Sequence, residues 1–400
     1  MKPDSQTLLD TIDGEAMLRQ TLGWANVNSG TGNLQGLAAV AGQLADAFSA
    51  LPGGVELVDP APVTAISADG EEFAKPHGQH MVLRVRPEAE RRLVLTGHMD
   101  TVFPADHPFQ SCVRVDGDIV NGPGTADMKG GLCVILHALT AFERTEHAGR
   151  IGYDVMINSD EETGSLASRA LIDELAQGKY AALTYEPSAL PDGTLAHARG
   201  GTGNYSITVR GRSAHAGRNP HDGRNAIVAV ADLVLRVKAL EGEDITVNPA
   251  KIEGGAANNV VPDLAILRFN IRPKSTDAMA RFDAELDAVL RAIEAEHEVG
   301  IHRHGGVTRP PKPVDTRAQK LFDLVRDCGA ELGQTIGWQP TGGVCDGNNI
   351  AANGIPVVDT MGVRGGKIHS PDEFMIVPSL VERAALSALV LGRLASGEYL

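Results

Sequence analysis

At 400 residues the chain is longer than a single core usually grows, so two domains are expected. Its 42% hydrophobic and 22% charged residues are those of a globular protein and exclude a disordered or low-complexity chain. The net charge of −15 argues against a nucleic-acid partner, which calls for a basic face.

The stretch from Met1 to Leu18 has no apolar core and no small-residue cleavage site, so it reads as mature sequence. No apolar run approaches bilayer length, which leaves the cytoplasm as the expected location, with no membrane contact. Arg92 to Thr96 reads as a buried strand ending at Gly97-His98-Met99-Asp100. Asp127 to His147 has helical periodicity, Gly152 to Asn158 is strand-like, Ser165 to Gln177 helical and Ala181 to Tyr185 a strand again. Strands alternating with helices imply an α/β domain with a mostly parallel sheet, whose binding residues gather at the strands' carboxyl ends.

Near Arg199-Gly200-Gly201 the texture changes. A strand over Tyr205 to Arg210, a helix over Asp222 to Leu240, strands near Lys251 and over Leu264 to Ile271, and a charged helix over Thr276 to His297 follow. Strand–helix–strand–strand–helix–strand is the order of a small α+β, ferredoxin-like module with an antiparallel sheet. The prolines between Thr308 and Pro313 end it. A helix from Ala318 and a strand over Ile355 to Asp359 then resume the α/β pattern. The expected division is therefore a domain of residues 1–199 and 308–400, interrupted by an insert over 200–307.

Five polar clusters follow strand ends or occupy loops. In Gly97-His98-Met99-Asp100, an imidazole with a carboxylate two residues on suits a metal-ligating histidine oriented by an acid. In Asn121 to Gly131, Asp127 opens a helical pattern, where an acid taken alone reads as an N-cap. Asp160-Glu161-Glu162 crowds acids that only cations or metals would hold together in a buried site, although a surface loop would also accept them. Tyr185-Glu186-Pro187 places another acid at a strand end, and Lys367 to Glu373 surrounds His369. Two histidines and several carboxylates without a thiolate suit a pair of divalent ions bridged by one carboxylate. The cysteines (Cys112, Cys133, Cys328 and Cys345) form no CxxC pair, so neither a disulfide framework nor a thiolate site is indicated. His77, His80, His107 and His147 read as loop or helix-end residues, and His302 and His304 as one face of a strand.

These motifs, in this order over nearly the whole length, resemble the M20 metallopeptidases, most nearly the glutamate carboxypeptidase (carboxypeptidase G2-like) branch. The resemblance implies a zinc-peptidase-like catalytic domain and a lid and dimerisation insert. It implies two Zn2+ per subunit, with Co2+ or Mn2+ as substitutes. By match, His98, Asp127, Glu162, Glu186 and His369 are the ligands, Asp127 bridges both ions ahead of a cis peptide, Asp100 orients His98, and Glu161 is the general base. Some relatives carry Asp where Glu186 stands. In the insert, His215 of Arg212 to Gly217 matches a histidine that stabilises the oxyanion in the partner subunit of a homodimer. Asn259 matches a substrate-contact asparagine, Arg272 the arginine gripping a substrate carboxylate, and Arg309 is a further candidate there. Gly342 to Asn348 matches a substrate-lining loop in which Cys345 is unusual. The implied activity is hydrolysis of an amide beside a free carboxylate in a small N-acyl amino acid or short peptide, releasing a C-terminal, glutamate-type amino acid. The alternatives are an N-acyl-amino-acid deacylase of the acetylornithine or succinyl-diaminopimelate type and a dipeptidase or tripeptidase.

Overall fold

The computed structural model describes residues 11–398, and the first ten residues of the N-terminal stretch lie outside the described residues. The chain divides into two compact units. One contains the residues up to Ala61, then Pro76–Arg199, and the chain from Val314 onward. The other contains Pro62–Lys75 and Gly200–Pro313, so it takes an early segment and runs past the residue 307 expected from the sequence.

The first unit is built on a six-stranded sheet. Its strands are β1 (Gly54–Val58), β2 (His80–Val85), β3 (Arg92–His98), β4 (Gly152–Asn158), β5 (Ala181–Thr184) and β6 (Val357–Val358), in the order β1-β2-β4-β3-β5-β6. β4, β3, β5 and β6 run parallel, while β1 and β2 pair antiparallel at one side. The central strands read as continuous apolar runs because both faces are covered. Side chains alternate between those faces: Leu93, Leu95, Val155, Ile157 and Leu183 join one core, while Val94, Met156 and Ala182 join another. The first core is closed by helices Gly14–Ala25, Leu34–Phe48, Gly130–Phe142 and Ser379–Ser396, the second by Arg169–Ala176 and Asp346–Ala351.

Helix boundaries depart from the periodicity in consistent ways. The helix expected from Asp127 begins at Gly130 and ends at Phe142. Thr125–Lys129 before it is a π-type turn in which Asp127 (φ −116°, ψ 86°) and Met128 are non-helical, so Asp127 is not an N-cap. The helix expected from Ser165 begins at Arg169, and that expected from Asp222 begins at Ala226. In the latter case the Asn225 side chain accepts the Ile227 and Val228 N–H groups and sets the start. His80, expected in a loop, is the buried first residue of β2.

The second unit carries a four-stranded antiparallel sheet in the order Ile245–Gly254, Leu264–Pro273, Thr202–Arg210, Gly300–Arg309. Helices Ala226–Lys238 and Thr276–His297 cover the face bearing Tyr205, Ile207, Leu267 and Phe269. Arg210 and Arg268 point the other way and donate to the Gly70 and Ile66 carbonyls of the small hairpin formed by Thr64–Ile66 and Glu72–Ala74. That hairpin explains why residues 62–75 belong to this unit. Among the described residues no helix is long and apolar enough to cross a membrane.

Candidate metal centre

Three neighbouring parallel strands bring their carboxyl ends to one edge, and each ends in a polar residue of the site. His98 closes β3 and pairs in register with Asn158 at the end of β4. Two residues beyond the Thr96–Thr184 pair, Glu186 follows β5 beside His98. Such edges collect binding residues because all the connecting loops emerge there. Glycines let the backbones close in: a Cβ on Gly131 would lie 2.1 Å from the Tyr185 carbonyl oxygen, and one on Gly362 2.2 Å from the same atom.

Asp127 lies between two histidines. Its Oδ1 is 3.1 Å from His98 Nε2, and its Oδ2 is 3.3 Å from His369 Nε2. Each histidine has a second acid: Glu186 Oε2 at 3.7 Å from His98, and Glu162 Oε2 at 3.1 Å from His369. The peptide after Asp127 is cis. Glu161 also reaches this cluster, since ligand atoms of His98, Glu161 and Glu186 lie within 4.8 Å of one another. His98, Asp127 and Glu162 form a second such group.

Asp100 is fully buried and occupied on every side. It lies 3.3 Å from His98 Nδ1, accepts from Thr31 Oγ1 at 2.7 Å, and receives the N–H groups of Glu161 and Glu162 at 3.2 Å each. One carboxylate thus orients His98 and holds the paired-acid loop. That loop is anchored beneath by Asp346, which accepts from Ser165 Oγ and from Asn158 Nδ2. Ser165 and His369 both take left-handed φ values, 55° and 62°, a conformation that surrounding contacts must impose on residues with a Cβ.

The electrostatics follow from burial and crowding. Burial works to raise Asp127, but hydrogen bonds from His369 and His98 outweigh it and hold its carboxyl well below the usual range. Burial also opposes charge on His98, yet the Glu186 charge with Asp100 and Asp127 raises it well above normal. His369, bonded to Asp127 and Glu162, is raised to about 11. Glu162 is pushed up to about 7 by burial and by the Asp127 charge. Lys129 is completely buried, donates to Ser29 Oγ at 2.7 Å and to the Met99 carbonyl at 2.6 Å, and is brought down to about 8 by burial.

The donors fit divalent metal. Two imidazoles, the buried His98 and the half-exposed His369, meet several buried carboxylates with no thiolate, and acids buried together need cations. Glu162 Oε1 is buried without a hydrogen-bond partner, and the two oxygens of Asp127 face separate histidines.

The structure therefore gathers His98, Asp100, Asp127, Glu161, Glu162, Glu186 and His369. His215, Asn259, Arg272 and Arg309 belong to the second unit. There His215 pairs with Val260, and Ala216 N–H donates to the Asn259 carbonyl, so the two matched loops adjoin. His215, Asn259 and Arg272 are exposed, whereas Arg309 is buried. Cys345 is buried too, with its Sγ 3.8 Å from Asp359, itself paired to Arg199 by two bonds of 2.9 Å. His302 and His304 lie on one strand near Glu72 and Thr64, the first exposed and the second half-buried. Thr31, Lys129 and Glu373 were not singled out from the sequence. The last two lie inside quoted clusters, while nothing around Thr31 signals its contact with Asp100.

Fold and cluster together define the class: an α/β protein with an inserted α+β module and a strand-end site suited to divalent metal. The sequence matches the profile of peptidase family M20/M25/M40 over residues 94–393. It is 29% identical to carboxypeptidase G2 of Pseudomonas sp. (strain RS-16) over 395 residues, 97% of this chain and 91% of that one. It is 28% identical to a succinyl-diaminopimelate desuccinylase of Xanthomonas oryzae pv. oryzae, over 76% of this chain and 83% of that one. Among solved structures, a tripeptidase of Staphylococcus aureus superposes with a TM-score of 0.72 at 24% identity, covering 96% of this chain and all of that one. An M20 family metallo-carboxypeptidase of Sulfolobus solfataricus gives 0.70 at 16% identity, covering 95% and 99%. The chain belongs to peptidase family M20/M25/M40 and is an enzyme of that hydrolase family.

Proposed function

We propose that this enzyme is a two-metal amidohydrolase that cleaves the amide beside a free carboxylate and releases a C-terminal, glutamate-type amino acid. The observation that carries the two-metal reading is Asp127, whose two oxygens each face a histidine that has its own glutamate. His98 and Glu186 would hold one ion, Glu162 and His369 the other, and Asp127 both. Zinc suits this set, and cobalt or manganese would be accepted. Bound there, the ions would polarise the amide carbonyl and acidify water at neutral pH.

The residues of the chain do the rest. Glu161, held through its backbone by Asp100, accepts the proton of the attacking water and delivers it to the leaving nitrogen. Asp100 keeps the His98 ring in its orientation. In a homodimer, the exposed His215 of each chain donates a hydrogen bond to the carbonyl oxygen gaining charge in its partner's site. Arg272, whose Nε donates to Asn270 Oδ1 at 3.0 Å, presents the rest of its guanidinium to the substrate carboxylate, with Asn259 and Arg309 supporting that pocket. The substrate is a small N-acyl amino acid or short peptide, and the expected place of action is the cytoplasm.

A second reading keeps the same metal core and changes the pocket. The likeness to carboxypeptidase G2 over 97% of the chain favours the glutamate reading, and that to the succinyl-diaminopimelate desuccinylase favours an N-acyl-amino-acid deacylase. A release assay on the zinc-loaded enzyme separates them, with N-acyl-glutamates, folate-type glutamates, N-acetyl and N-succinyl basic amino acids and dipeptides as substrates. Preferential release of glutamate is expected. Preference for simple N-acyl groups on basic amino acids would transfer the enzyme to the deacylases.

A further inference from the structure

Glu373 is outside the ligand set, yet its side chain is devoted to the loop that carries Asp127. Oε1 accepts the N–H groups of Ala126 at 3.0 Å and Asp127 at 3.1 Å, and Oε2 accepts that of Gly124 at 3.2 Å. The residue is 1% exposed, so these three bonds are shielded from water. Its backbone carbonyl receives Asn121 Nδ2 at 2.7 Å and the Gly122 N–H at 3.3 Å. A single residue therefore grips the loop at both ends, and it lies in the same short segment as His369.

The grip answers a local need. Asp127 and Met128 are non-helical inside the Thr125–Lys129 turn, so the N–H groups at its start have no helical carbonyl to meet. Glu373 supplies the acceptor, and in doing so it fixes the peptide planes that precede Asp127. A carboxylate that must serve two centres at once tolerates little rotation, since turning toward one histidine turns it from the other.

We propose that Glu373 is a positioning residue for the metal pair: by clamping the Gly124, Ala126 and Asp127 N–H groups, it holds Asp127 so that Oδ1 and Oδ2 face His98 and His369 together. The proposal rests on the reading of Asp127 as the shared ligand. It differs from a merely structural role, which would lower the stability of the metal-free fold and leave the affinity of the folded protein for metal unchanged.

The test is calorimetric titration of metal-free, full-length wild type, Glu373→Ala and Glu373→Gln with Co2+. The cobalt absorption spectrum serves as a readout of ligand geometry, and circular dichroism checks the fold. Folded Glu373→Ala is expected to lose about 10- to 100-fold in affinity for both ions, the usual effect of removing a group that orients a ligand, with a changed cobalt spectrum. Glu373→Gln, which keeps one oxygen for the Ala126 and Asp127 N–H groups, is expected to fall between. Wild-type affinity and spectrum in folded Glu373→Ala would overturn the proposal. If Glu373→Ala does not fold, the same result in the isosteric Glu373→Gln would overturn it. Wild-type protein that binds no divalent ion would instead overturn the reading of Asp127, so the two failures are distinguishable.

Discussion

Asp127 and His369 meet through Oδ2 and Nε2 at 3.3 Å, while the other oxygen of the same aspartate faces His98 at 3.1 Å. This contact joins a turn at the head of one helix to a loop near the end of the chain. If Asp127 is shared between two ions, its removal should empty both. Asp127→Ala is expected to bind well under one equivalent of zinc, and His369→Ala about one, by elemental analysis after dialysis. Two equivalents retained in folded Asp127→Ala would remove the bridging role.

Glu161 sits at the head of the paired-acid loop and is 8% exposed. As general base its loss should slow turnover and spare metal content. Glu161→Gln is expected to keep both ions and lose about 100- to 10,000-fold in kcat. The geometric group of His98, Glu161 and Glu186 makes a ligand role the competing outcome, and loss of one ion in this variant would reveal it.

Metal uptake should release protons. His98 is raised by Glu186 and Asp100 despite its burial, His369 is raised to about 11 by Asp127 and Glu162, and burial pushes Glu162 up to about 7. Each group ligates only after losing its proton, and proton occupancy rises as pH falls, so affinity should weaken from about pH 8 to pH 6. Calorimetry in buffers of different ionisation enthalpy counts the protons. Binding that releases none and ignores pH would contradict these shifts.

The role proposed for His215 is testable without a structure of the dimer. His215→Ala and Glu161→Ala should each be nearly inactive as homodimers. Refolded together in equal amounts, they should recover about a quarter of wild-type activity, because half the dimers then carry one intact site of two. No recovery, with dimers present by light scattering, would place His215 elsewhere.

A stability prediction concerns Lys179 and Asp154, whose side chains pair directly and are 2% and 3% exposed. Removing one partner leaves a buried charge unmatched. Asp154→Ala is expected to cost about 3–5 kcal/mol in chemical denaturation, and Asp154→Leu with Lys179→Met distinctly less. Equal losses in the two variants would show that the unmatched charge does not set the penalty.

Much of the site could be read in the chain because its parts are local. His98 closes a continuous apolar strand, Asp100, Glu161, Glu162 and Glu186 lie within four residues of a strand end, and in a parallel sheet those ends must share an edge. The order of the second unit was legible for the same reason, since alternation in Tyr205–Arg210 and periodicity in Thr276–His297 reflect one covered face. Helix starts were less legible. Asp127 looks like an N-cap by position, and only the Glu373 clamp and the two histidines show that its backbone stays outside the helix.

What the sequence determined alone was therefore the set of elements and the polar side chains at their ends, because periodicity and strand-end loops are properties of neighbouring residues. The tertiary structure decided which groups support that chemistry. Thr31 against Asp100, Lys129 against Met99, Asp346 beneath the paired acids and Glu373 around Asp127 are contacts between segments far apart in the chain. Their side chains have no local pattern to announce them, since a hydrogen bond across the fold depends on where packing brings two backbones and not on the residues beside either one.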